Sequence, residues 1–79
     1  MTFYSLKRIK IINHGEWSDP EVKYKGKSYN YYDIEDLLFN YYKDYQDIYY
    51  KLSFEKFIKE NKTLCYDLIN DNIQYFRSY

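Results

Sequence analysis

Between Asn30 and Asp47 the chain reads NYYDIEDLLFNYYKDYQD, and apolar residues return there at alternating steps of three and four. Tyr31, Ile34, Leu38, Tyr41 and Tyr45 carry the repeat, and Leu37 and Tyr42 widen it. That is the period of an α-helix with one buried face. Asn30 supplies an N-cap. Asp33, Glu35 and Asp36 put negative charge in the first turns, where unpaired backbone N–H groups and the helix dipole favour it. Most of the stability of such a helix comes from packing its stripe, so the rest of the sequence must furnish the surface that covers it.

A chain of 79 residues makes one domain, near the lower size at which a core suffices without disulfide, metal or self-association. Its single cysteine, Cys65, cannot form an internal disulfide and sits in an apolar helical pattern, so it reads as a core residue of an intracellular, cytoplasmic protein. No signal-like apolar run follows Met1, and no stretch of about eighteen apolar residues occurs. The sequence therefore supports neither secretion nor membrane spanning.

The residues before the helix read as strands. In TFYSLKRIKII, Thr2 to Ile12, an apolar and β-branched run is interrupted by Lys7, Arg8 and Lys10, which predicts a strand with a bulge or irregular pairing where alternation breaks at Lys7 and Arg8. Asn13, His14 and Gly15 end it, and Ser18, Asp19 and Pro20 form a turn. Trp17, between these breakers, is read as a lid on one end of the core, the alternative being an exposed anchor for a partner. Glu21 to Lys25 alternates with Val22 and Tyr24 on one face, and Lys25, Gly26 and Lys27 form a hairpin tip with glycine where a positive φ is needed.

After the long helix, Ile48, Tyr49, Tyr50 and Leu52 extend it or form a buried connection. Ser53 caps a second helix carrying Phe54, Phe57 and Ile58, which stops at Asn61. Thr63 caps a third, with Leu64, Cys65, Leu68, Ile69, Ile73 and Phe76 on its buried side; a single helix from Ser53 to Phe76 is the alternative. The expected architecture is α+β. A two- or three-stranded antiparallel sheet from residues 1–29 packs against two or three helices from residues 30–79.

Little in this chain has the makings of catalysis. His14 is the only histidine, and with Glu16 and Asp19 it is a poor transition-metal set, so it reads as a plain loop residue. Cys65 could act as a nucleophile only if His14 came beside it. Glu21, Val22 and Lys23 have the E-x-K spacing of PD-(D/E)xK nucleases, but Asp19 lies too close to serve as the upstream aspartate of that family and the chain is too short for its helix-flanked sheet. Asp33, Glu35 and Asp36 are explained by helix N-terminal charge without a metal. Gly15 and Gly26 are the only glycines, so there is no phosphate-binding glycine loop. No enzyme, cofactor or metal is expected.

What remains is surface. Twelve basic and twelve acidic residues cancel, which argues against a protein that holds nucleic acid chiefly by neutralising phosphates. The charges are nonetheless divided: Lys7, Arg8, Lys10, Lys23, Lys25 and Lys27 dominate the first part and acidic residues the helical part. Tyr32, Asp33, Asp36, Asn40, Lys43, Asp44 and Asp47 line the outer face of the first helix, with Tyr42 at its margin. Spaced carboxylates with an aromatic anchor suit a basic groove in a larger protein such as a nuclease or defence complex. The bland alternative is a solvated helix face. Second in order is a nucleic-acid surface made by Lys7, Lys10, Lys23, Lys25 and Lys27 interleaved with Tyr4, Tyr24 and Tyr29, on which single-stranded bases could stack. Against it, exposed lysines also keep small sheets from pairing with one another. Thirteen tyrosines exceed what so small a core can bury with every hydroxyl satisfied, so a homodimer that hides the surplus is the third reading.

In length, in its Tyr, Asn, Lys and Ile bias, and in a compact W-x-D-P-E (Trp17 to Glu21) followed by N-Y-Y-D (Asn30 to Asp33), the chain resembles the small accessory proteins of phages and mobile elements of low-G+C bacteria, the anti-CRISPR-like type. That resemblance implies stoichiometric binding and inhibition of a larger host enzyme, with no catalysis of its own and no membrane. It transfers no functional residue.

Overall fold

A computed structural model describes residues 3–48 and 52–79, with the side chains of Asp47 and Ile48 outside the description. Three strands, β1 (Lys10–Ile12), β2 (Glu21–Tyr24) and β3 (Lys27–Asn30), precede three helices, α1 (Tyr31–Ile48), α2 (Phe54–Glu60) and α3 (Lys62–Asn72). The sheet is antiparallel in the order β1-β2-β3, which makes this the expected α+β arrangement.

The hairpin forms where turn chemistry demands it. Val22 pairs with Tyr29 and Tyr24 with Lys27, leaving Lys25 and Gly26 as a two-residue loop at φ 52° and 77°. Positive φ at both central positions matches the right-handed twist of the strands, and glycine takes the second at no steric cost. A Cβ on Gly26 would meet nothing within 4 Å, so the cost of a side chain there is conformational alone. Gly26→Ala is expected to destabilise by about 1 kcal/mol, read from a urea midpoint, with the helices unaffected.

The N-terminal segment departs from the expected strand. Leu6 N–H donates to the Phe3 carbonyl at 2.9 Å and Ile9 N–H to the Leu6 carbonyl at 3.2 Å, so two successive turns replace extended backbone and only Lys10–Ile12 is strand. The reason lies in the spacing: Phe3, Leu6 and Ile9 recur every third residue, and turns put all three into the core, where a strand of period two would divide them. Ser5 is buried with them, and Lys7 and Arg8 project outward, with no bulge required.

In α1 the Asn30 side chain caps the first turn, accepting from Tyr32 N–H at 2.9 Å. Its buried line is Tyr31, Ile34, Leu38 and Tyr42, with Leu37 and Tyr45 half-buried. Tyr41, expected on the stripe, is exposed, because each residue turns about 100° and the core favours the i, i+4, i+8 line ending at Tyr42. Tyr42 OH donates to the Leu52 carbonyl, which satisfies a hydroxyl that burial would otherwise strand. The expectations for Thr2, Tyr49 and Tyr50 fall outside the described residues.

Two helices, not one, follow. Ser53 Oγ accepts from Lys56 N–H at 3.1 Å at the start of α2. Asn61 stops α2, its backbone N–H donating to the Ile58 carbonyl and its side chain to the Phe57 carbonyl. The same Asn61 also starts α3, two residues earlier than the expected Thr63 cap, its backbone carbonyl accepting from Cys65 N–H at 2.9 Å. The core takes Phe57 and Ile58 from α2 and Cys65, Tyr66 and Ile69 from α3, with Leu64 and Leu68 half-buried.

Helical structure ends sooner than the apolar pattern suggests. A 3-10 turn covers Ile73–Tyr75, after which Phe76 is extended and packs edge-on to Tyr29 with ring centroids 6.1 Å apart. The tail then runs along β3. Asn30 N–H donates to the Arg77 carbonyl, Tyr79 N–H donates to the Ser28 carbonyl, and Ser78 bridges Tyr29.

Candidate functional site

The outer face of α1 is the first candidate. Tyr32 is 43% exposed, and Asp36, Asn40, Lys43 and Asp44 are all exposed along successive turns. Asp33 is not available to a partner in the way the sequence suggests. Its carboxylate receives Arg77 Nε and Nη2, the latter at 2.9 Å, and the Arg77 backbone N–H at 2.7 Å. These bonds, the guanidinium bonds first, hold the Asp33 carboxyl below its ordinary range and push Arg77 up. The charge presented outward is therefore Asp36 and Asp44 against Lys43. The side chain of Asp47 lies outside the described residues.

Flanking this face, Phe39 and Tyr41 are exposed on their outer edges yet rest on core rings: Phe39 on Phe54 at 5.2 Å, Tyr41 on Phe57 at 6.3 Å. Tyr42, considered at the margin of the outer face, is in the core instead.

Trp17 overturns the lid reading, being 96% exposed. The loop that carries it is tied at its C-terminal end: Asn30 Nδ2 donates to Asp19 at 2.9 Å, and Tyr31 N–H donates to the Pro20 carbonyl at 3.1 Å. Phe3, Leu6 and Ile9 are buried members of the core, and Trp17 takes no part in it.

The lysines named for a nucleic-acid surface are exposed, and among the described residues only Lys25 lies over one of the named aromatic rings. Lys10 and Lys23 are register partners across β1 and β2. Lys25 Nζ instead reaches Asn70 Oδ1 at 3.0 Å, beside Tyr24 OH on the same oxygen, and lies 5.2 Å from the Tyr24 ring centroid. Tyr24 and Tyr29 are buried, which leaves only Tyr4 of the three rings exposed for base stacking. Alternation explains the failure: the strand positions of Tyr24 and Tyr29 face the helices, opposite to Lys10 and Lys23.

His14, Glu21 and Cys65 are each engaged within the fold. His14 Nε2 lies 2.8 Å from Glu21 Oε1, and its ring stacks on Tyr79 at 4.9 Å, so its partner is neither Glu16 nor Asp19. Hydrogen bonds from Ser28 and then from His14 lower the Glu21 carboxyl. That engages the glutamate of the E-x-K spacing with its own sheet. Cys65 is enclosed in the core, where burial pushes its thiol up to about 11, away from a reactive thiolate. Among the described residues no group of three or more His, Cys, Asp or Glu side chains is placed to hold a metal ion, and no helix is long and apolar enough to cross a membrane.

One arrangement was not anticipated. The turns at Ser5–Arg8 and the face of α3 from Lys62 to Asn70 line an open cleft of about 410 Å³, across which Arg8 N–H donates to Tyr66 OH at 2.9 Å and the Arg8 guanidinium lies 4.8 Å from the Tyr66 ring. Its sequence signal was the small polar Ser5 set between the apolar Phe3, Leu6 and Ile9. No protein-family model, curated protein or solved structure matches the chain.

Proposed function

We propose that this chain is a non-enzymatic protein-binding module, in concrete terms a phage or mobile-element accessory protein that inhibits or redirects a bacterial nucleic-acid-processing or defence enzyme. The observation that carries the reading is the outer face of α1. A rigid helix, anchored through Ile34, Leu38 and Tyr42, presents Tyr32, Asp36, Asn40 and Asp44 outward along successive turns. A tyrosine costs little entropy to immobilise, and carboxylates spaced along a helix complement a row of basic side chains. The occupant of this face is accordingly a basic groove on a larger protein.

The test is a paired pull-down from a low-G+C bacterial lysate with the wild-type chain and with Asp36→Lys/Asp44→Lys. Both positions are exposed, so the variant should stay folded, with a small loss of stability from the reversed charge at Asp36 near the start of α1. A stoichiometric protein retained by the wild type and at least about tenfold depleted with the variant is the expected result. Equal recovery of that protein by both removes this face from the reading. Nucleic acid that elutes steeply with salt would favour the lysines of the sheet, and a bait that recovers only itself would favour self-association.

A further inference from the structure

We propose that the chain forms a symmetric dimer through the open edge of its sheet, β1 of one copy pairing antiparallel with β1 of a second and joining the two three-stranded sheets into one. The inference is independent of the docking face on α1.

The two edges of the sheet are treated differently. Along β3 the C-terminal tail takes up the outward backbone groups, since Asn30 N–H donates to the Arg77 carbonyl and the Ser28 carbonyl accepts from Tyr79 N–H. β1 is the opposite edge, and among the described residues no other segment hydrogen-bonds to its outer side. Unpaired N–H and C=O groups on a strand are a template for another strand.

The register fixes which groups those are. In a regular antiparallel ladder the backbone groups of successive residues point to alternate sides. Ser28 and Asn30 point to the tail, so Lys27 and Tyr29 bond to their partners Tyr24 and Val22, and Glu21 and Lys23 are left to bond to Ile12 and Lys10. Ile11 is therefore the residue of β1 whose N–H and C=O face outward. A two-fold axis through an Ile11–Ile11 pair gives two reciprocal hydrogen bonds, whereas an axis at Lys10 or Ile12 gives none.

The side chains fit a second copy as the occupant in that register. Ile11 lies opposite Val22 on the core face and is only half-buried, so meeting its own copy across the axis covers its open side. On the other face Lys10 falls opposite Ile12 of the second copy, and no like charges stand directly opposite one another. Lys10–Ile12 contains no proline, and its unbroken register leaves no bulge. Of the usual guards of an open edge, only its short length and Lys10 remain.

The experiment is sedimentation equilibrium of the full-length chain from about 50 µM to about 2 mM, paired with amide hydrogen exchange by NMR at both ends of that range. A contact this small predicts a weak dimer, with a dissociation constant of about 0.2 mM. Exchange at Ile11 N–H should slow about threefold at the higher concentration, while Lys10 and Ile12 N–H, already bonded to β2, keep their rates. Ile12→Lys places a lysine opposite Lys10 of the second copy at both ends of the contact but opposite Glu21 within its own chain. It should keep the fold and weaken the dimer about tenfold. Adding Lys10→Glu turns each like pair into an opposite one and should restore the dimer to within about threefold of wild type. A chain still monomeric at about 2 mM, Ile11 exchange independent of concentration, a dimer that Ile12→Lys leaves intact, or a double variant that recovers nothing overturns the pairing. The exchange measurement needs no variant, so the test stands even if Ile12→Lys disturbs the strand.

Discussion

Phe57→Ala is expected to cost the fold about 3–5 kcal/mol, the largest loss of any single substitution considered for this chain. Phe57 is fully buried, and its ring is the meeting point of α1 and α2, with ring centroids 4.9 Å from Tyr45 and 5.6 Å from Tyr42. Deleting a buried phenyl ring removes its transfer free energy and leaves a cavity that a close-packed interior only partly refills, together about 3–5 kcal/mol. A domain of 79 residues has a total stability of roughly 4–12 kcal/mol, so this one change consumes a large share. Urea titration followed by far-UV circular dichroism is the measurement. Trp17 fluorescence is the wrong probe, since the indole is already in water in the folded state. Phe57→Leu should cost less than half as much; equal losses, or a loss below about 1 kcal/mol for the alanine variant, would remove Phe57 from the centre of the core.

The second large effect is expected from removing Phe76–Tyr79. Phe76 packs half-buried on Tyr29, and the tail backbone makes two bonds to β3. The apolar contact and the two bonds together account for about 2–3 kcal/mol. The surface pair of Arg77 with Asp33 adds a pH-dependent share. Asp33 has a folded pKa below its ordinary 3.8, so its contribution is present above that value and is lost as pH falls through the lower, folded one. The stability gap between the full chain and the truncated one should therefore narrow as pH drops below 3.8. A gap that stays constant down to about pH 2 would mean that the tail is held by its apolar and backbone contacts alone.

Phe57 and the C-terminal tail differ in how far the sequence announces them. Phe57 stands in a capped helix whose start at Ser53 and stop at Asn61 follow from local chemistry, as does the turn at Lys25 and Gly26. Such features depend on a few adjacent residues, so a linear reading finds them. The tail does not work that way. Nothing near Arg77 in sequence announces that its backbone will lie along β3, because the partners, Ser28, Asn30 and Asp33, are set by the packing of all three helices. The N-terminal turns were obscured for a different reason. A period of three over Phe3, Leu6 and Ile9 was hidden by the β-branched character of the neighbours, and propensity was weighted over spacing.

The same division runs through the candidate sites. Exposure of Tyr32, Asp36, Asn40 and Asp44 follows from the helical period alone. Neutralisation of Asp33 and the fate of Lys25 do not, since each is decided by a residue far along the chain: Arg77 in one case, Asn70 in the other. Trp17 stands in a loop whose direction is set by ties to Asn30 and Tyr31, which no residue beside it in sequence announces. The cleft between the N-terminal turns and α3 was invisible because its two walls are separated by more than fifty residues.

Those distant polar ties have a consequence for how the chain reaches its fold. Arg8 meets Tyr66 across 58 positions, Tyr24 meets Asn70 across 46, and Asp33 meets Arg77 across 44. Each stitches a residue of the first half to the last quarter of the sequence, so neither the sheet nor the helical part has a boundary along which it could detach intact. Unfolding should be a single concerted transition, with sheet and helix signals lost at one denaturant concentration. Closing loops of this length before their contacts give any return sets the pace: the rate of folding should be that of a mixed α/β domain, slower than its helical content alone would suggest.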